Sequence, residues 1–157
     1  MYQKMLQVGS GGANLNRLDI IDGTQYNNYI GNYSGATASA DTTTNSTLIK
    51  YSGSTPRYPQ AICFETDLTN VDIIIAILEK VTGSVGNVSE LQIGIRKTAD
   101  GEFNPITDNE TVIKYSISND KKSYCFDVSN YVGNHYIFIS WGGSINVYCS
   151  HLVGFQY

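Results

Sequence analysis

The chain has 157 residues, 41% of them hydrophobic and only 15% charged, with a formal net charge of −4. That length suits one domain with a sizeable core. The ten Lys and Arg residues do not cluster, which argues against nucleic acid, because phosphate contacts need a basic patch. No apolar run is long enough to cross a bilayer as a helix, so membrane insertion is not expected. Gly, Ser, Thr, Asn and twelve Tyr fill the space that charges leave, a mixture that favours strands and turns over helices.

Residues 1–22 read as an N-terminal extension or docking arm, and 23–157 as one domain. "MYQKMLQVGSGGAN" lacks the long apolar core of a secretory signal and breaks at its glycines. "LNRLDIIDG" is a short apolar stretch closed by Asp22-Gly23, either a strand added at a sheet edge or an arm that docks on a neighbour. Tyr26, Tyr29 and Tyr33 follow among Asn and Gly. Gly35 to Ser46 reads as a small polar loop, Thr47 to Tyr51 as a strand, and Pro56 and Pro59 as a turn. "QAICFET" is the next strand. "VDIIIAILEKV" has helical spacing at Ile73, Ile74, Ile77 and Leu78, but its density of Ile favours a buried strand. "LQIGIRK" puts Leu91, Ile93 and Ile95 on one face, and "TVIKYSIS" does so for Ile113, Tyr115 and Ile117. A turn centred on Asp100-Gly101 separates them, and "NDKK" turns the chain again. "SYCFDVS" alternates Tyr124, Phe126 and Val128 against Cys125 and Asp127, and "NYVGN" is a corner. The pattern predicts an all-β fold: an antiparallel two-sheet β-sandwich or a barrel.

The end of the chain, "HYIFISWGGSINVYCS", reads as a hairpin about Gly142-Gly143. With a two-residue turn, Trp141 pairs with Ser144 and His135 with Ser150. Trp141, Ile139, Ile137, Asn146 and Tyr148 then share one face. Tyr136, Phe138, Ile145, Val147 and Cys149 share the other, which is the better core face. A bulge near Gly142 would swap them. Trp141 is then either a stacking surface for a sugar or partner, or a cover on the open end of the sandwich.

"FDVSNYVGNHYIFIS" followed by "INVYCSHLVGF" resembles the end of a jelly-roll module of the galactose-binding-like and carbohydrate-binding type. In that type a strand ends in a "D-V-S/T-x-Y/L-x-G" corner and re-enters the sheet as "Y-x-I-x-I". "YNNYIGNYSGATASADTTTNSTLIKYSG" resembles the opening of modules found in bacteriophage tail and fibre proteins. The resemblance implies a jelly-roll β-sandwich and a non-enzymatic virion structural protein, of tail, fibre or capsid decoration. Its expected partners are other virion proteins, further copies of itself (a trimer among the options) and a host-surface glycan. The expected location is the virion, after synthesis in the host cytoplasm. The alternative is a monomeric carbohydrate-binding module. The candidate ligand-binding residues are Trp141, Tyr148 and Asn146.

No catalytic set stands out. His135 and His151 point to opposite faces of the expected hairpin, and no nucleophile, base and orienter are marked as converging. Glu65, Asp67, Glu79, Glu90 and Glu102 are candidate carboxylates for glycoside hydrolysis, and most sit at strand ends, where a charge simply meets water. Cys63, Cys125 and Cys149 read as reduced core thiols, with one disulfide as the alternative. Neither metal-ligand spacing nor a calcium-loop pattern occurs, so no metal or cofactor is expected.

Overall fold

The computed structural model describes residues 16–26, 29–33, 36–51, 60–85, 90–96, 111–116, 122–141 and 143–156. They form strands β1 (Arg17–Asp22), β2 (Gln25–Tyr26), β3 (Tyr29–Tyr33), β4 (Ala36–Asp41), β5 (Ser46–Tyr51), β6 (Gln60–Asp67), β7 (Ile73–Val85), β8 (Glu90–Arg96), β9 (Thr111–Ser116), β10 (Lys122–Asp127), β11 (Asn134–Trp141) and β12 (Gly143–Phe155). No helix occurs among the described residues, and none is long and apolar enough to cross a membrane. All pairings are antiparallel. The fold is the expected two-sheet β-sandwich. Of the 1–22 stretch, residues 1–15 lie outside the described residues, and Arg17–Asp22 is built into a sheet as β1. The turns expected at Pro56, Pro59 and Asp100-Gly101, and most of "NDKK", also lie outside them.

A seven-stranded sheet holds β1, β2, β4, β5, β7, β10 and β12, and a five-stranded sheet has the order β3-β6-β11-β8-β9. Only the β1–β2, β4–β5 and β8–β9 connections stay within one sheet. Every other connection crosses between sheets. The two sheets bury Ile20, Ile21, Ile49, Phe64, Leu78, Ile93, Ile95, Ile137, Ile139, Val147 and Leu152 between them. Each such side chain, fully buried, stabilises by about 1.5–3 kcal/mol. The density of isoleucine in β7 reflects its central place between β10 and β12.

Three expectations need correction. Ala36–Asp41, read as part of a loop, is strand β4. It pairs with β5 along its length and packs Ala38 against the core. Its small residues carry little strand propensity, and the ladder to β5 supplies what they lack. The terminal hairpin is absent: β11 pairs with β6 and β8, whereas β12 pairs with β1, β5 and β7. The chain therefore arches from one sheet to the other at Trp141–Gly143. A hairpin keeps both strands in one sheet, but an arch sets their inward faces against each other. Ile137 and Ile139 consequently meet Ile145, Val147 and Cys149 in one core, instead of opposing them. Finally, only Cys149 of the three thiols is buried: Cys63 is part-exposed and Cys125 exposed, and all three are free.

The two longest strands, β7 and β12, carry a double irregularity. The register runs Tyr148↔Lys80, Cys149↔Leu78 and His151↔Ile77, so Glu79 and Ser150 are the extra residues. Each bulge inverts the alternation beyond it. The seven-stranded sheet forks there: β12 pairs with β5 through Asn146–Cys149 and with β1 through His151–Phe155. Gly23 sits in the fork with φ +61°, its N–H donating to the Ser150 carbonyl at 2.7 Å. A side chain at Gly23 would meet Asn45 Oδ1 at 3.0 Å, so glycine serves both the turn and the close approach.

Candidate functional site

Two sheet crossings share a sequence pattern and build one end of the sandwich. Asp67-Leu68-Thr69-Asn70 carries β6 into β7, and Asp127-Val128-Ser129-Asn130 carries β10 into β11. In each, the Asp Oδ1 accepts the N–H and the hydroxyl of the residue two places on, at 2.9 and 2.6 Å. The hydroxyl of Thr69 and that of Ser129, the larger cause in each case, and then their backbone N–H hold the Asp67 and Asp127 carboxyls below the usual carboxylate range. The apolar residue of each corner, Leu68 or Val128, plugs the core at 1% or 0% exposure. The corners are tied to each other. Leu68 N–H donates to the Gly133 carbonyl at 3.0 Å, and Val128 N–H to the Asp72 carbonyl at 2.8 Å. The second corner is the one read from the sequence; the first repeats it, and the shared D-[LV]-[ST]-N string is the signal that would have found it.

Beside the first corner lies a groove of about 220 Å³, lined by Asn16, Arg17, Leu18, Asp67, Asn70 and Val71. Arg17 donates through Nε to Asp19 and through Nη2 to Asp22, which raises its pKa, the Asp19 bond being the larger cause. Asn16 Nδ2 donates to Gln156 Oε1 at 2.8 Å. Asp67 also belongs to the outer face of the five-stranded sheet. On that face the register sets Asp67 against Asn134, then Glu65–Tyr136–Arg96, then Cys63–Phe138–Gly94. Phe138 is fully buried although it faces away from the central core, whereas Tyr136 and Glu65 are part-exposed. The corner end of this sheet thus sets Tyr136 and Glu65 at paired cross-strand positions on one face, and Asp67 on that face also lines the groove.

The candidate ligand residues are divided among different surfaces. Trp141 ends β11 in the five-stranded sheet, its backbone in register with Gln60 and two places beyond Ile139. Its side chain lies outside the described residues. Asn146 and Tyr148 lie together on the outer face of β12 in the seven-stranded sheet, opposite Thr82 and Lys80. The Lys80 ammonium stands 4.1 Å from the centre of the Tyr148 ring, a cation–π contact that occupies one face of that ring. The expected hairpin puts Tyr136 on its core face, whereas it stands part-exposed on the outer face of β11, because Ile137 and Ile139 take the core side. The groove escapes a sequence reading because it joins residues some fifty positions apart, Arg17 and Asp67 among them.

The two histidines fall in different sheets. His135 is buried in β11, with Nδ1 3.0 Å from the Gly133 carbonyl and its ring edge-on to Tyr131. His151 joins a line of polar groups at the double bulge: Nδ1 is 3.1 Å from Ser150 Oγ and Nε2 3.4 Å from Asp22 Oδ1. The line has the composition of a Ser-His-Asp triad and not its function. Ser150 is 3% exposed, and its hydroxyl donates to Glu79 Oε1 at 2.6 Å. A nucleophile must be reachable and must give its proton to the imidazole. This line instead joins the two extra residues of the bulges. Among the described residues no group of three His, Cys, Asp or Glu is placed to hold a metal ion.

No protein-family model and no curated protein matches the chain. Solved structures of similar fold do. A variant of a family 29 carbohydrate-binding module matches with TM-score 0.58 and 16% identity, over 90% of this chain and 92% of that one. Another family 29 variant, complexed with cellulohexaose, gives 0.58 and 14%, over 92% and 93%. The module CBM29_1 from Piromyces equi gives 0.55 and 13%, over 92% and 93%. This chain shares the β-sandwich fold of those modules.

Proposed function

We propose that this protein is a non-catalytic carbohydrate-binding module that takes a neutral glycan along the corner end of its five-stranded sheet. The observation that carries the reading is the part-exposed Tyr136 beside Glu65, on a sandwich whose likeness to carbohydrate-binding modules extends over most of the chain. Sugar rings present one C–H face, which stacks on an aromatic ring, and a rim of hydroxyls, which bond to carboxylates and amides. Tyr136 supplies the first, and Glu65, Asp67 and Asn134 the second. Cellulohexaose, bound in one structural neighbour, is the first ligand class to try. The same likeness favours a binding module over the virion component expected first from the sequence.

Titration calorimetry of the full chain against cellohexaose and soluble glucans and mannans tests this reading. Binding is expected, and Tyr136→Ala should weaken it about tenfold, as loss of an aromatic contact worth roughly 1.5 kcal/mol does. The variant should keep the thermal unfolding profile of the wild type. A flat titration with every glycan, or full affinity in Tyr136→Ala, refutes the reading.

A further inference from the structure

We infer that the groove between the start of β1 and the Asp67–Val71 corner is a subsite for one neutral, hydroxyl-rich sugar ring, an inference that rests on the glycan-binding reading above. Its volume of about 220 Å³ is below the roughly 300 Å³ at which pockets for drug-sized ligands begin, so it suits a single ring. Its lining divides as a sugar does. Leu18 and Val71 are the apolar members of the lining and can meet a C–H face. The rest of the lining is polar and holds atoms that are uncommitted among the described residues. Asp67 spends Oδ1 on Thr69 and keeps Oδ2. Asn16 spends Nδ2 and its backbone carbonyl on Gln156 and keeps the side-chain Oδ1. Asn70 is exposed and brings an amide donor and an acceptor. Neighbouring acceptors and amides of this kind bridge adjacent hydroxyls.

The charges select against other ligands. An anion would need the Arg17 guanidinium, but two carboxylates, Asp19 and Asp22, already engage it. Asp67 in the wall would repel an anion further. A cation would find one carboxylate, too few oxygen ligands for calcium or magnesium. A neutral polyol is what remains. Because Asp67 also lies on the outer face beside Asn134 and Glu65, the groove continues the surface on which Tyr136 stands. A glycan lying over Tyr136 would set one of its rings in the groove.

Amide chemical-shift mapping of the full chain separates the two ideas. The probes are methyl glucoside, methyl mannoside and methyl galactoside, with sodium glucuronate as the anionic comparison, on wild type, Asn70→Ala, Asp67→Asn and Tyr136→Ala. Asp67→Asn keeps an acceptor for Thr69, and Asn70 is exposed, so both variants should stay folded. The expected result is saturable shifts at residues 16–18 and 70–71 that survive Tyr136→Ala and vanish in Asn70→Ala. Affinity for cellohexaose should also fall about tenfold in Asn70→Ala. Shifts confined to Glu65, Asn134 and Tyr136, with Asn70→Ala binding as wild type, overturn the groove subsite and leave the glycan-binding reading standing. Glucuronate binding as well as the neutral sugars overturns the assignment of ligand class. No shift with any methyl glycoside overturns the groove subsite, and no binding of cellohexaose either overturns the glycan-binding reading with it.

Discussion

Gly154 offers the sharpest test of how the corner is packed. It lies in β12 opposite Leu18 of β1 and Ile74 of β7. A methyl group added there would stand 2.8 Å from Val71 Cγ1, 3.4 Å from Val71 Cγ2 and 3.5 Å from Leu18 Cβ. Val71 has little room to retreat. Its N–H donates to the Leu68 carbonyl at 3.1 Å, and the next residue, Asp72, donates to the Phe155 carbonyl at 2.8 Å. A β-branched side chain is also stiff about χ1. Overpacking of this kind costs about 1–3 kcal/mol, while alanine in place of glycine restricts the unfolded chain and returns about 0.4–1 kcal/mol. Gly154→Ala should therefore destabilise by roughly 1–2 kcal/mol, or about 2–8 °C in Tm for a chain of this size. Val71→Ala removes both clashing carbons. In that background Gly154→Ala should be neutral or slightly stabilising. Urea unfolding of the four proteins of the cycle, followed by circular dichroism, measures the coupling. A Gly154→Ala protein as stable as wild type, or two changes that simply add, would refute the close contact with Val71. Since Val71 and Leu18 line the groove, the same variant should also weaken methyl glycoside binding.

Acid should loosen the protein through its turns. Asp67, Asp127 and Asp41 are each held below the usual carboxylate value of 3.8, mainly by the hydroxyls of Thr69, Ser129 and Thr44. A depressed folded-state pKa contributes stability that is complete above the unfolded value and is lost as pH falls through the folded one. The stability gap between wild type and Asp127→Asn should narrow below about pH 4, and a gap that stays constant down to about pH 2 would contradict this. The thiols should react in order of exposure. Burial pushes the Cys149 thiol up to about 12, and Cys125, exposed in β10, is also raised, by burial and then by Asp127. Iodoacetamide followed by peptide mass mapping should label Cys125 first and leave Cys149 silent until the protein unfolds. Equal rates at the two would refute the described burial.

Local pattern determined much of this protein. The alternation of Phe126 and Val128 against Cys125 and Asp127 is the burial that β10 and the corner after it show. Ile93 and Ile95 face the core as their spacing predicts, and the isoleucines of β7 form a strand. The Asp127-Val128-Ser129 corner was legible because its hydrogen bonds run between residues two apart. Only the tertiary structure decided which sheet each strand joined. Gly142-Gly143 permits a hairpin or an arch, and β11 offers apolar residues on both faces: Ile137 and Ile139 on one, Phe138 on the other. Nothing local breaks that tie; the ladders to β6, β8 and β12's own neighbours do. The double bulge at Glu79 and Ser150 was likewise hidden, since a bulge is a mismatch between two strands and belongs to neither sequence alone. The candidate site follows the same rule: Asn16, Arg17, Asp67 and Asn70 carry no shared motif, and they become a site only where β1 and the corner after β6 are brought side by side.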